Sequence, residues 1–468
     1  MANRNGSLHL ETPEENPHVQ DKEELEREHS SAAESRQKES DVELVDWDGP
    51  NDPENPFNWS KKRKWLLTIT TCFILLQGSY IMFLIWMVPS AVAKNFATLI
   101  VTRFFDGGFS SVSINIVGGT ITDIWRGDRD RSLPMSIFGL TSVVGIALGP
   151  FIGSAIAANM YWRWIYYIQL IFDGGCLPLF WFILNETRAD VILARRAKKL
   201  RKSGGRPNAY AKAELEKTDV MTSLKISFTR PVKMLATEWV VFSFTLWISF
   251  AWGILFLFQS SIVQTFQTNY GFGVMSTGLI QLALSVGAVI GTIINPIQDM
   301  LYLRSAKRNK HQPGLPIPEA RLYSSVPGSL LFTAGLFWYG WASQPAVHWL
   351  VPTVGIVVVG LGIYSIYLAV VNYLADAYEK YAASALSAAS LGRNTFGAFL
   401  PLASQSLFND LGFQWAGSLL GFVGLALSVA PVLLLVKGEE IRRRSPFMRE
   451  ATFDVEERER RESSFGGA

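Results

Sequence analysis

Residues 239–258 read WVVFSFTLWISFAWGILFLF, twenty positions in succession without a charged side chain. Twenty residues of α-helix rise about 30 Å, the thickness of bilayer hydrocarbon. A stretch this apolar all round offers no polar face to water and reads as a membrane span. Working outward, comparable blocks begin near Trp65, Phe96, Leu133, Trp162, Met275, Ser325, Trp349, Ser384 and Trp415, giving about ten candidate spans in all. Composition agrees, because 49% of the 468 residues are hydrophobic and 13% aromatic, an excess that must face lipid. The sequence predicts an all-α membrane protein.

The break between residues 184 and 239 differs from the short connections elsewhere. It holds Arg188, Arg195, Arg196, Lys198, Lys199, Arg201 and Lys202, then Ser203, Gly204 and Gly205, and reads as a hydrophilic loop dividing two hydrophobic blocks. Residues 1–46 are rich in Glu, Lys, Arg, Ser and Asn and lack the apolar area that would offset chain entropy, so this tail is expected to be disordered. It carries no secretory leader pattern, which leaves the first span to direct insertion and the tail in the cytoplasm. Starting inside, alternate loops carry Arg126, Arg129 and Arg131, the central cluster, Arg304, Lys307, Arg308 and Lys310, and finally Arg442, Arg443 and Arg444. The opposite loops carry little beyond Lys94 and Arg163, as the positive-inside rule requires. The expected divisions are a cytoplasmic tail and leading segment (1–64), a four-span bundle (65–184), a cytoplasmic central loop (185–236), a six-span bundle (237–436) and a cytoplasmic tail (437–468). The sequons at Asn5, Asn58 and Asn185 fall on the cytoplasmic side of this topology and are read as chance matches.

Several function classes are excluded or weakened. A net charge of +3 gives no overall basic field for nucleic acid. Cys72 and Cys176 lie in apolar runs and read as small hydrophobes rather than a disulfide. No Gly-x-x-x-x-Gly-Lys-Ser/Thr loop exists to cradle the phosphates of an ATP-driven pump. His9, His18, His29 and His311 lie in soluble segments and His348 at a span edge, so neither a metal cluster nor a Ser/His pair emerges. No cofactor or metal is expected, and the chain is not read as an enzyme. A non-transporting membrane sensor stays open at this point.

Polar groups inside apolar spans are the functional candidates, because an ionisable side chain at membrane depth costs several kcal/mol without a partner or water. Arg103 and Asp106 stand i, i+3 and can pair on one helix face. They are either a neutralised pair that fixes packing or a proton-linked pair in which protonation of Asp106 releases Arg103. Asp173, before Gly174 and Gly175, is either a second proton-linked acid or a cap on a kink. Gly145, Gly149, Pro150 and Gly153 place small residues every four positions beside a helix-bending proline, a seam along which helices approach closely. In the second block Trp252, Gln259, Gln281, Tyr364 and Asn372 are candidate cargo contacts, with Arg393 as charge partner. Trp247, Tyr367 and Asn394 are further candidates, although Trp and Tyr also populate membrane-interface belts.

The glycine-proline stretch resembles the fifth-helix motif of major facilitator antiporters. Leu99, Arg103 and Gly107 resemble the fourth-helix motif of that superfamily, whose arginine is implicated in proton coupling. Further segments are similar to its fungal drug/proton antiporter branch: Val45-Asp46-Trp47-Asp48-Gly49-Pro50, Asp52-Pro53-Glu54-Asn55-Pro56-Phe57-Asn58-Trp59-Ser60, and Glu186-Thr187-Arg188. So are Pro318-Glu319-Ala320-Arg321-Leu322, Asp376-Ala377-Tyr378 and Ala382-Ala383-Ser384-Ala385. The resemblance implies a monomeric, proton-coupled exporter of drugs, toxins, secondary metabolites or polyamines. It would work by alternating access in the plasma membrane, with both termini cytoplasmic. It also implies two six-helix halves, yet the first block offers four spans. Val88-Pro89-Ser90-Ala91-Val92 runs within a few residues into Lys94-Asn95-Phe96, the start of the family's fourth helix, so helices two and three and the loop between them are expected to be missing. A missed exon, a splice form or a decayed, transport-impaired copy would account for the gap.

Overall fold

The computed structural model describes residues 43–72, 77–183, 186–204, 206–215, 219–309 and 316–450. The expected disorder before residue 43, the last residues of the C-terminal tail, and Asn5 and Asn185 of the sequons lie outside the described residues. Glu43–Asn58 together with 186–215 form one compact unit, and the described residues from Trp59 to 183 and from 219 onward form another.

The first unit joins two segments that the sequence reading kept apart. A two-residue parallel pairing sets β1 (Glu43–Leu44) beside β2 (Ala209–Tyr210), with Glu43 opposite Ala209. Helix α7 (Ala189–Lys202) carries Arg196, whose Nη1 donates to Asp52 at 2.7 Å and which also pairs with Asp48. The backbone N–H groups of Asp48 and Glu54 donate to the same Asp52 carboxylate, each at 2.8 Å. These donors and the guanidinium hold the Asp52 carboxyl below its ordinary pKa, since all favour the charged form. Arg201 grips Glu214, at the edge of α8 (Lys212–Leu215), at 2.9 Å. Asn58 donates its side-chain amide to the Pro50 and Asp52 carbonyls, a structural duty that fits its reading as a chance sequon.

The second unit is helical. The first hydrophobic block supplies α1 (Lys61–Cys72), α2 (Gln77–Ala91), α3 (Phe96–Ser110), α4 (Val112–Ile124), α5 (Gly127–Asn159) and α6 (Arg163–Ile183). Helix α9 (Val220–Thr237) leads into the second block. There follow α10 (Trp239–Tyr270), α11 (Val274–Ser305), α12 (Ser325–Ala342), α13 (Leu350–Tyr378), α14 (Ala382–Phe399), α15 (Ser404–Leu427) and α16 (Val429–Arg444). Helices dominate because hydrocarbon offers no partner to a backbone N–H or C=O, which must bond within its own segment. By length and composition, 130–159, α10, 274–308 and the run 350–444 are long and apolar enough to cross a bilayer.

The block beginning at Phe96 is two helices rather than one. Ser110 and Ser111 turn their hydroxyls onto the Gly107 and Gly108 carbonyls at 3.0 and 2.8 Å, competing with the backbone just where two glycines weaken the helix. Helix α10, by contrast, runs unbroken until Gly271 stops it in the left-handed conformation at φ 64°, its N–H bonded back to Gln267.

In the first block α2 folds directly onto α3 through residues 92–95. Asn95 caps α3 by accepting from the Thr98 N–H at 2.7 Å, and Trp86 stacks on Phe105 with centroids 4.4 Å apart. Tyr80, Phe83 and Met87 bury there against Phe109 and Leu170. In the second block Trp247, Phe258, Phe332, Tyr339, Tyr364 and Tyr373 form one continuous core. Helices α5 and α11 join the two blocks, running antiparallel. Ser132 bonds Asp299, Asn295 donates to Ser136 at 2.7 Å, and at the far end Gly278 lies against the backbone of Phe151.

Candidate functional site

On α3, Arg103 Nη1 donates to Asp106 Oδ2 at 3.0 Å. The i, i+3 spacing brings the pair together as expected. Asp106 is 2% exposed, and its second oxygen, Oδ1, is buried without a hydrogen-bond partner. Arg103 is unequally placed: 46% of its side chain is exposed, and its guanidinium lies 4.6 Å over the Tyr166 ring of α6. One buried acid is thus held by one half-open cation. Asp173, also on α6, is half-buried, and its backbone carbonyl accepts from the Tyr80 hydroxyl at 2.8 Å. Helix α6 is continuous through Asp173, so the carboxylate does not cap a break.

The glycine-proline stretch lies within α5, which continues through Pro150. The close seam expected there is not found. A Cβ built on Gly145, Gly149 or Gly153 would meet no atom within 4 Å. The helix meets its neighbours through other residues, Ser132, Ser136, Phe151 and Ser154 on α11 and Gly139 on α13.

The second-block candidates divide. Trp252 and Arg393 converge: the Arg393 guanidinium lies 4.8 Å over the Trp252 ring and 5.6 Å over that of Tyr367. Trp252 and Tyr367 themselves sit with centroids 5.1 Å apart. Gln281 Nε2 donates to the Gln259 carbonyl at 3.4 Å, while Gln259 reaches the Ile146 carbonyl of α5 at 3.5 Å, so these amides lie where the two blocks meet. Tyr364 donates to the Ser136 carbonyl at 3.2 Å, a second link across that seam. Asn372 is half-buried and away from these contacts, Asn394 is exposed, and Trp247 is buried in the core with its indole Nε1 unpartnered.

Sequence reasoning missed a polar network at the end of α5 and α11. Arg321, 7% exposed, donates to Asp376 at 2.7 Å, stacks 3.4 Å over Tyr302 and stands 3.9 Å from Asp299. Tyr302 donates to Asp376 at 2.9 Å, and Asn295 to Asp299 at 3.0 Å. A cavity of about 570 Å³ opens beside it, lined by Ser132, Ser136, Asn295, Asp299 and Arg321 among others. Arg321 and Asp376 belonged to segments noticed for their resemblance, but nothing in their spacing of 55 residues announces that they meet.

The family profile described as Major Facilitator Superfamily matches residues 58–394. Curated relatives include the efflux pump atB of Aspergillus terreus, 33% identical over 86% of this chain and 90% of its own length. The efflux pump radE of Floropilus chiversii is 30% identical over 88% of this chain and 87% of its own. The citrinin biosynthesis cluster MFS transporter mrr1 of Monascus ruber is 31% identical over 87% and 93%. Among solved structures, a POT family transporter in complex with 5-aminolevulinic acid shares the fold at 12% identity, with TM-score 0.51 over 83% of this chain and 88% of that one. With paired helical blocks of transporter fold and a family match across most of its length, the chain belongs to the major facilitator superfamily of transporters.

Proposed function

We propose that the chain exports small molecules from a fungal cell in exchange for protons, by alternating access, as a monomer in the plasma membrane with cytoplasmic termini. The observation that carries the coupling is the Arg103–Asp106 pair: a buried carboxylate with one oxygen unpartnered, held by a cation that is half open and therefore able to leave. Protonating Asp106 removes the charge that holds Arg103, which ties a proton to a side-chain movement at membrane depth. The efflux pumps among the relatives support export, and the citrinin biosynthesis cluster of one relative supports a secondary-metabolite cargo within the wider range of drugs, toxins and polyamines. Asp106→Asn is expected to abolish proton-driven efflux from reconstituted vesicles while leaving insertion intact. Efflux that still follows the gradient in that variant would sink the coupling role.

The short α2–α3 connection supports a further part of the reading, that the family's second and third helices are absent. The alignment with the transporter mrr1 runs over 468 positions yet uses 87% of this 468-residue chain, so roughly 60 aligned positions face no residue here. A transport-dead copy is less favoured than a carrier, because identity to efflux pumps extends over more than four-fifths of the chain. Inserting about 50 family-like residues between Val92 and Asn95 is expected to raise efflux severalfold. Equal efflux by both proteins would show that the pair is dispensable.

A further inference from the structure

Arg393 is a buried cation whose counter-charge is supplied by none of the described residues. Its side chain on α14 is 6% exposed, Nε has no hydrogen-bond partner, and no carboxylate among the described residues stands within ion-pair distance. The buried and half-buried acids of the same block are already engaged. Glu238 accepts from Tyr378 and Ser445, Glu319 is bound by Arg442 at 2.7 Å, Asp376 by Arg321 at 2.7 Å, and Asp299 by Ser132 and Asn295. The Trp252 and Tyr367 faces beneath the guanidinium offset part of its desolvation, but a ring quadrupole does not neutralise a whole charge.

A second observation lies one helix away. Thr245, Ser249 and Trp252 follow at helical spacing on α10, and Gly392 lets α14 approach so closely that a Cβ there would stand 2.6 Å from the Ser249 hydroxyl. Both hydroxyls, Thr245 Oγ1 and Ser249 Oγ, are buried and make no hydrogen bond. Ser387 and Thr292 return their hydroxyls to a carbonyl on the preceding turn, whereas Ser285, Thr333 and Ser404 of this block are, like Thr245 and Ser249, buried without a partner. Two buried hydroxyls without a partner face the α14 backbone at Gly392, and at the next residue a guanidinium without a counter-charge lies over two aromatic rings, a donor-rich stretch with no carboxylate in ion-pair distance among the described residues.

The geometry points to a binding site for an organic anion: a carboxylate on the Arg393 fork, with an unsaturated ring system stacked along Trp252 and Tyr367. A guanidinium presents two parallel N–H donors that match a carboxylate, which an ammonium cannot do. The inference deepens the export reading and rests on it only for access, since the site is enclosed in this structure and a carrier must open to load it.

The test uses the purified full chain in lipid nanodiscs, titrated calorimetrically with 2-naphthoate and with 2-naphthamide, which keeps the ring and removes the charge. The wild type is expected to bind 2-naphthoate at least about tenfold more tightly. Arg393→Gln should erase that preference without weakening 2-naphthamide, and Arg393→Lys should keep only part of it. Equal binding of the two ligands by the wild type, or a preference that survives in Arg393→Gln, overturns the site. If Arg393→Gln does not purify as a single species, the wild-type ratio and the Arg393→Lys shift decide. Proton-driven efflux of a neutral dye, measured separately in vesicles, reports on export itself: dye efflux without 2-naphthoate preference removes the anion site alone, and preference without efflux removes the exporter alone.

Discussion

Most glycines of the second hydrophobic block lie where helices touch, whereas most of those in the first block touch nothing, Gly139 against Leu368 of α13 being an exception. A Cβ added to Gly417 would stand 2.7 Å from the Cα of Gly340, and one on Gly335 would stand 2.9 Å from the Val359 nitrogen. Gly107, Gly119, Gly145, Gly149, Gly153 and Gly174 of the first block have no neighbour within 4 Å. Burial follows the same division, with 78% of the apolar window of α10 inside the protein and 28% of that of α5. In a bilayer, lipid tails are as apolar as leucine, so helices associate through close contact rather than expulsion from water. A glycine stripe is therefore worth only what its partner helix makes of it, and the same sequence signature is a joint in one block and an open face in the other.

The comparison breaks most visibly if bulk is tolerated where helices touch. Gly360 lies against α11, and a Cβ there would sit 3.0 Å from the Leu284 Cα. Gly360→Leu is expected to force α11 and α13 apart at about 1–3 kcal/mol or more, enough to remove the monodisperse peak on size-exclusion chromatography. A normal peak with an unchanged melting midpoint would mean that the seam is looser than the structure shows.

The leading segment offers a sharper contrast, because it is held by charge and hydrogen bonds where the second block is held by packing. Asp52 has its pKa lowered by the Asp48 and Glu54 amides and by Arg196. A carboxylate lowered in this way contributes stability that is fully present above its unfolded pKa of about 3.9 and is lost as pH falls through the lower folded value. Hydrogen-exchange protection of 43–58, corrected for intrinsic rates, is therefore expected to stay level between about pH 5 and 8. Asp52→Asn should lower it about tenfold across that range, the loss of a charge-assisted bond. A slope in the wild type over that window, or full protection in the variant, would refute the assignment.

How legible each feature was in the sequence depends on the distance over which it forms. Arg103 and Asp106 could be paired from three residues of spacing, because a helix alone decides that contact. Trp252 and Arg393 were picked out singly, as a large aromatic and a cation in apolar runs. Their meeting across 141 positions depends on how α10 packs against α14, which no local pattern encodes. The docking of Arg196 on Asp52 escaped for the same reason, since the leading segment and the central loop were read as separate. The Gly149 seam failed in the opposite way. Its local pattern permits close packing, but permission is not contact, and no described residue lies within 4 Å of a Cβ at Gly145, Gly149 or Gly153.

The smallest expected effect tests that distinction directly. In this chain Gly149→Leu adds a side chain to an open face of α5, so the new bulk by itself should change stability by no more than about 0.5 kcal/mol, the range of surface substitutions. Leucine is also the better helix former, by nearly 1 kcal/mol over glycine in a helix interior, so a slight rise in melting midpoint is the expected sign. With about 50 family-like residues restored after Val92, the same substitution should become damaging, because the inserted pair would give the glycine face a helix to pack against. Melting midpoints of the four proteins, each background with and without the leucine, form a double-mutant cycle whose coupling term isolates that contact. A coupling near zero would place the restored helices elsewhere and leave the open face of α5 unexplained by the missing pair.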